Sequence, residues 1–178
     1  PRCAPKRNGN AHRGAHRLRV GATAEFEVAR AKVQLCLNAE HGRDVIFVRG
    51  TIDAINLVAK TYGKAHVGAG DEVLIPAMEH HSNIVPWQML CDEKRARLRV
   101  APINDAGELL LEEFGYLIGP MTRLVPVTHV SNVLGPLKPH PRLVHPAHRP
   151  GPAVLSDGAT SAPHRRDPRT RLAPASNA

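Results

Sequence analysis

A chain of 178 residues, 42% hydrophobic and only 3% aromatic, is long enough for one ordinary domain, and its core must rest on Val, Leu, Ile and Ala. No apolar run is long enough to span a bilayer, and Pro1-Arg2-Cys3-Ala4-Pro5-Lys6-Arg7 lacks the apolar stretch of a secretory signal, so a cytoplasmic location without membrane contact is expected. The formal charge of +8 is uneven: residues 1–24 carry six basic groups and no acid, residues 136–178 seven basic groups and two acids, and the stretch between is net −3, so the positive charge lies in the least regular segments, where aromatic stacking partners are absent, which argues against nucleic-acid binding.

In chain order, residues 1–22 read as a basic N-terminal segment. Residues 23–37 follow as an amphipathic helix with Phe26, Ala29, Val33 and Leu37 near one face. Val45-Ile46-Phe47-Val48, a short apolar run bounded by charge, predicts a buried strand. Arg49-Gly50-Thr51 turns the chain into a helix faced by Ile52, Ile55, Val58, Ala59 and Tyr62, with Gly63 at its end. Glu72-Val73-Leu74-Ile75 is the next strand, and Pro86 suits the first turn of a helix running to about Arg95. Leu98–Pro102 is a third strand, Asn104–Gly107 a turn, and Leu109–Ile118 a short helix weakened by Gly115. Arg123–Thr128 is a fourth strand, in which Pro126 lacks a ladder donor, and Ala153-Val154-Leu155 is a fifth. The alternation implies an α/β fold, three-layer αβα, with a mainly parallel sheet. Nine of the 16 prolines fall in residues 136–178, so a continuous crossover helix is not expected there, and residues 161–178 read as a disordered tail.

Polar blocks fall where strands end, which is where such folds bind ligands. Gly50-Thr51 opens a helix and offers N–H groups and a hydroxyl to a phosphate, although Thr51 is equally readable as an N-cap. His80 and His81 follow a strand, and an imidazole can stack on a flat heteroaromatic ring and shuttle protons near neutral pH. No carboxylate or thiol recurs at ligand spacing beside the paired histidines, with Glu79 read as pointing elsewhere, so no metal site is expected. Asn132 follows the fourth strand and could hydrogen-bond a ring substituent, or simply form a turn. Asp157 ends the fifth strand. It is a candidate buried carboxylate in need of a cation such as a protonated pyridine nitrogen, or else a turn cap. Cys36 and Cys91 lie in apolar helical patterns and read as buried, inert thiols, and Cys3 stands apart from both.

The run Glu79-His80-His81-Ser82-Asn83-Ile84-Val85-Pro86-Trp87, with Arg49-Gly50-Thr51 before it and Thr128-His129-Val130-Ser131-Asn132 and Ser156-Asp157-Gly158 after it, resembles the SufS-type cysteine desulfurases of the class V aminotransferase family. The resemblance runs from about Asn10 to His164. It implies residues 23–160 as part of the large domain of a fold-type I transferase that uses pyridoxal 5'-phosphate (PLP). By this resemblance Gly50 and Thr51 meet the cofactor phosphate, and His80 stacks on the ring and is a candidate proton shuttle. Asn132 contacts the ring oxygen side and Asp157 the ring nitrogen. His12 and Arg13 lie near the active-site entrance or a dimer contact. The implied reaction removes sulfur from L-cysteine, leaving alanine and an enzyme persulfide for iron–sulfur cluster assembly, in a homodimer served by a sulfur-acceptor protein. A selenocysteine lyase, another class V relative, or a non-catalytic dimerisation protein built on the same fold are the other readings.

The sequence departs from that pattern at Ile52, where a second Thr is usual, and at Thr160, where a Gln is usual. Lys6, Lys32, Lys60, Lys64, Lys94 and Lys138 do not stand in the family's Ser-Gly-His-Lys block, and Cys91 sits at a helical position rather than in the nucleophile's place. On this reading the chain is an N-terminal part, expected to be inactive and poorly soluble alone.

Overall fold

The computed structural model describes residues 17–128 and 151–159, and the chain divides into two compact units between Phe47 and Val48. In the first unit, helix α1 spans Arg17–Leu37 and so starts before the boundary expected at residue 22. It stops where Asn38 turns left-handed (φ 52°) and Ala39 N–H bonds back to the Gln34 carbonyl at 3.0 Å. Along the expected apolar face, Phe26 and Val33 are half-buried but Ala29 and Leu37 are exposed. Cys36 is exposed too, against expectation, because it lies off the face that Phe26 and Val33 define.

Val45–Val48 is not a strand. Its apolar side chains are used otherwise: the Phe47 ring meets Phe26 edge-on at 5.1 Å, and the Arg30 guanidinium lies over both rings. Arg30 also donates to the Val45 carbonyl, the group a neighbouring strand would have taken. Val45 is buried, while Ile46 stays 67% exposed.

The second unit holds a four-stranded parallel sheet of β1 (Glu72–Pro76), β2 (Arg97–Ala101), β3 (Thr122–Thr128) and β4 (Ala153–Asp157), in the order β2-β1-β3-β4. Helices cover both faces. On one, α2 (Thr51–Val58) and α4 (Val85–Lys94) bring Ile55, Trp87, Leu90 and Cys91 onto Val73, Ile75 and Leu124. On the other, Phe114 of α5 (Leu111–Leu117) packs with Leu74, Ala101, Val125 and Val127. The alternation along β1 and β3 thus splits each strand between two cores, so both strands read as continuous apolar runs. The three-layer αβα expectation is met, with four described strands rather than five.

Two local expectations change. The second helix does not end at Gly63; it widens into a π-helical turn over Ala59–Gly63 and continues as α3 (Lys64–His66). Gly63 has ordinary helical angles and is buried against α4, where a Cβ would lie 2.6 Å from Leu90 Cδ2. Its small size serves a close helix contact rather than a left-handed cap. Pro126 stands inside the sheet, in β3, where proline is normally excluded. The β1–β3 register ends at Val73↔Leu124, two residues short of it, whereas the β3–β4 register runs through it at Pro126↔Leu155. Elsewhere α4 carries Pro86 in its first turn and ends on left-handed Arg95 (φ 56°). The Asn104–Gly107 turn closes through Gly107 N–H to the Asn104 carbonyl at 2.9 Å.

Candidate functional site

β1, β3 and β4 run parallel, so their C-terminal ends, Pro76, Thr128 and Asp157, share one edge of the sheet. The loop leaving β1 carries Glu79, His80 and His81 and enters a short 3-10 turn, His81–Asn83, that packs beside α2 and beside β3. Asp157 ends β4 at that edge and His80 lies on the loop leaving β1, while Gly50 and Thr51 open α2, the helix beside which the 3-10 turn packs.

Gly50 is the residue before α2, and no side chain caps that helix, so its first-turn N–H groups face outward. Nothing lies within 4 Å of a Cβ built on Gly50. Half-buried Thr51 is the first helical residue rather than the N-cap. Asp53, an acid in the same turn, accepts from the Arg49 backbone N–H and from Arg49 Nε, both at 3.4 Å. The Arg49 hydrogen bonds hold the Asp53 carboxyl below its ordinary range, and the pair offsets the charge an anion would otherwise meet.

His80 is exposed, with its ring tied at one edge. Ser82 N–H donates to His80 Nδ1 at 3.2 Å, and Ser82 Oγ lies 2.8 Å from the same atom. A backbone N–H only donates, so Nδ1 is the unprotonated nitrogen and the neutral ring carries its proton on Nε2. The His80 and His81 rings meet in a T-shaped arrangement, with centroids 5.9 Å apart. Among the described residues no cluster of His, Cys, Asp or Glu could hold a metal ion.

Asp157 is half-exposed rather than buried, and its Oδ1 accepts from Ala159 N–H at 2.9 Å. The turn-capping role is therefore present. Among the described strands β4 is at the edge of the sheet, and all its residues are only partly buried. Asn132, His12 and Arg13 lie outside the described residues. Cys91 is buried beside α2 and β1, and burial, with Asp92 adding to it, pushes its thiol from the ordinary 9.0 up to about 11.

One participant escaped the sequence reading. Glu79, expected to point elsewhere, turns into the protein and is 8% exposed. Both its oxygens accept from Thr128 N–H, at 3.0 and 3.1 Å, and Oε2 also accepts from Thr128 Oγ1 and from Asn83 Nδ2, the latter at 2.8 Å. Asn83 Oδ1 in turn accepts from the indole N–H of Trp87 at 3.0 Å. The spacing of Glu79, Asn83 and Trp87 at four-residue steps was the available signal; the link to Thr128 spans 49 residues and had none.

A three-layer arrangement of helices on both faces of a parallel sheet, with polar residues following its strand ends, is a domain of the α/β class. The model of the family described as Aminotransferase class-V matches residues 4–167, and the chain belongs to that family. It is 50% identical over 157 residues to the probable cysteine desulfurase 1 of Mycobacterium leprae, covering 88% of this chain and 26% of that protein. It is 48% identical over 153 residues to the cysteine desulfurase of an Enterobacter species, covering 86% of this chain and 38% of the relative. The chain thus spans well under half of these curated relatives. Among solved structures, the cysteine desulfurase CsdA of Escherichia coli superposes with a TM-score of 0.76 at 35% identity, over 88% of this chain and 39% of that one. A NifS-like protein at 21% identity shares the fold, with a TM-score of 0.77.

The residues fit PLP by their chemistry. Free N–H groups and the Thr51 hydroxyl are donors for a phosphate, the open space before Gly50 leaves room for one, and the His80 ring is a stacking surface. Asp157 is an anion for a pyridinium.

Proposed function

We propose that this chain forms the cofactor-cradling part of a PLP-dependent cysteine desulfurase. What supports the reading is the placing of His80 on the loop after β1 and of Asp157 at the end of β4, with Gly50 and Thr51 opening the helix that packs beside the His80 loop, in a chain 50% identical over 157 residues to a probable cysteine desulfurase. When bound, PLP supplies an electron sink for the bonds around the amino acid's α-carbon. The first turn of α2 and Thr51 bind the phosphate end. Asn132, beyond β3, meets the ring oxygen side. Asp157 would hold the ring by its nitrogen, as an acceptor for a pyridinium N–H. His80 covers one ring face and holds its proton at Nε2, the nitrogen not engaged by Ser82, from which it can be passed to the substrate side.

The substrate is L-cysteine, and its sulfur passes to an enzyme cysteine thiolate, leaving alanine. Cys91 is not that thiolate, because it is buried and its thiol holds its proton at neutral pH. A homodimer, a sulfur-acceptor protein and a cytoplasmic setting complete the reading, with His12 and Arg13 at the entrance or the subunit contact. Among the described residues no helix is long and apolar enough to cross a membrane.

The test uses pyridoxamine 5'-phosphate, which needs no lysine to bind. Titrated into the chain and followed by absorbance, it is expected to bind saturably and to be displaced by PLP. His80→Ala should weaken binding about tenfold, the worth of a ring-stacking contact. Absence of saturable binding, or an unchanged affinity in His80→Ala, sinks the reading.

A further inference from the structure

We infer that Glu79 is a positioning residue: a buried carboxyl group that fastens the His80 loop to the end of β3 and so fixes how the two meet a bound cofactor. This rests on the PLP reading for its functional meaning, and on geometry for the strut itself. Every group around Glu79 named above donates. Thr128 N–H has no other option. Trp87 Nε1 is also donor-only, so Asn83 must present its carbonyl to the indole and its amino group to Glu79. The Thr128 hydroxyl completes the set.

The position matters as much as the bonding. Glu79 precedes His80, whose own ring is clamped by Ser82, two residues further along the same loop. Thr128 is the last residue of β3, and the segment leading to Asn132 begins directly after it. One carboxyl group therefore ties together the approaches to two of the proposed cofactor contacts. Trp87, fully buried in the core beside β1, anchors the far end of the relay through Asn83. The loop thus hangs from the core by hydrogen bonds as well as by its backbone. With its oxygens engaged in this way and 8% of its surface exposed, Glu79 is placed to hold geometry rather than to carry protons during turnover.

The relay also dictates its own rescue. Glu79→Gln replaces one acceptor oxygen by an amino group, which must face either Thr128 N–H or the Asn83 amino group. Adding Asn83→Asp removes that conflict. The introduced glutamine then donates to the new carboxylate, whose second oxygen still accepts from Trp87, and the glutamine oxygen still serves Thr128. The carboxyl group moves four residues along and the bonding pattern is kept.

Two readouts are taken on the full chain, at a temperature where circular dichroism shows each variant folded. The first is the 15N imidazole spectrum of His80 without ligand, which reports its tautomer. The second is affinity for pyridoxamine 5'-phosphate. Glu79→Gln is expected to lose the single Nε2–H signature and to bind about tenfold more weakly, the size of a lost hydrogen bond. Glu79→Gln with Asn83→Asp is expected to recover the signature and most of the affinity. Should Glu79→Gln fail to fold, Thr128→Val removes only the hydroxyl bond and should shift the same spectrum in the same direction. An unchanged His80 spectrum in the folded single variants, or a folded double variant no better than Glu79→Gln, overturns the strut. If the wild-type chain binds no pyridoxamine 5'-phosphate, the cofactor reading fails on its own, and the His80 spectrum still decides the role of Glu79.

Discussion

The ends of β1 and β4 lie on the same edge of one sheet and are built in opposite ways. After β1 the chain is held by a buried polar relay in which Glu79, Asn83, Trp87 and Thr128 are each no more than 8% exposed. After β4 the polar residue, Asp157, is half-exposed and makes a local turn bond to Ala159. β1 is fully buried along its length, whereas every residue of β4 is only partly so. The difference shows two strategies for presenting a polar group at a strand end. One fixes it through the core, at the risk of leaving several groups unpaired if any member is lost. The other fixes it through its neighbours in sequence and leaves the core indifferent.

The largest effect is expected where the relay meets the core. Trp87→Ala removes the largest fully buried side chain and leaves the Asn83 carbonyl without its donor. A loss of about 3–5 kcal/mol is expected from the cavity alone, read as a lower urea midpoint. Trp87→Phe separates the two contributions. It keeps most of the volume and loses only the indole N–H, so about 1–3 kcal/mol should go. If the two variants were equally destabilised, the hydrogen-bonded relay rather than packing would dominate the β1 end.

A smaller effect is expected beneath the same strand, at Gly63. An alanine there meets Leu90 Cδ2 in a packed interface, which costs about 1–3 kcal/mol, while the helical propensity of Ala returns about 1 kcal/mol. Net destabilisation of roughly 1 kcal/mol is expected. Shortening Leu90 to Val should reduce the penalty of Gly63→Ala in a double-mutant cycle.

Cys91 belongs to this rigid side, and its titration tests how rigid it is. Its thiol is raised to about 11 from 9.0, so the folded chain holds the proton over a pH range where the unfolded chain releases it. The stability this protects is present below pH 9 and lost between pH 9 and about 11. At pH 8 a thiol reagent should modify exposed Cys36 while sparing Cys91, as read by peptide mass mapping. Rapid labelling of Cys91 under native conditions would mean that α4 opens locally.

How much of this was legible follows from the range of the interactions. Glu72-Val73-Leu74-Ile75 reads as a strand because its four side chains serve two cores, and that demand leaves a mark within the segment. Val45–Val48 carries a similar mark but has no ladder, since an aromatic pair and Arg30 take its side chain and carbonyl instead. Periodicity says that a segment has apolar groups to bury, not what will bury them. The helix continuation past Gly63 was hidden because a glycine chosen for close packing looks the same as one chosen for a turn. At the candidate site, Thr51, His80 and Asp157 stand out in the sequence as polar residues that follow apolar runs. Glu79 does not, because its main partner is Thr128 and nothing in either sequence neighbourhood points to the other.

The smallest expected effect on stability, and the sharpest test of the contrast, lies at Asp157. Asn in its place keeps an oxygen to accept from Ala159 N–H, so the turn survives and stability should move by less than about 0.5 kcal/mol. The charge is lost, however, and with it any attraction for a protonated ring nitrogen. For a half-exposed ion pair this is worth up to about 1 kcal/mol, or roughly fivefold in affinity for pyridoxamine 5'-phosphate. Thermal denaturation and ligand titration of the same Asp157→Asn sample should therefore disagree, with one unmoved and the other shifted. At the β1 end the two are expected to move together, since Glu79 and Trp87 serve the core and the loop at once. A large stability loss in Asp157→Asn would show that the β4 end is also tied into the core, and the contrast between the two strand ends would fall.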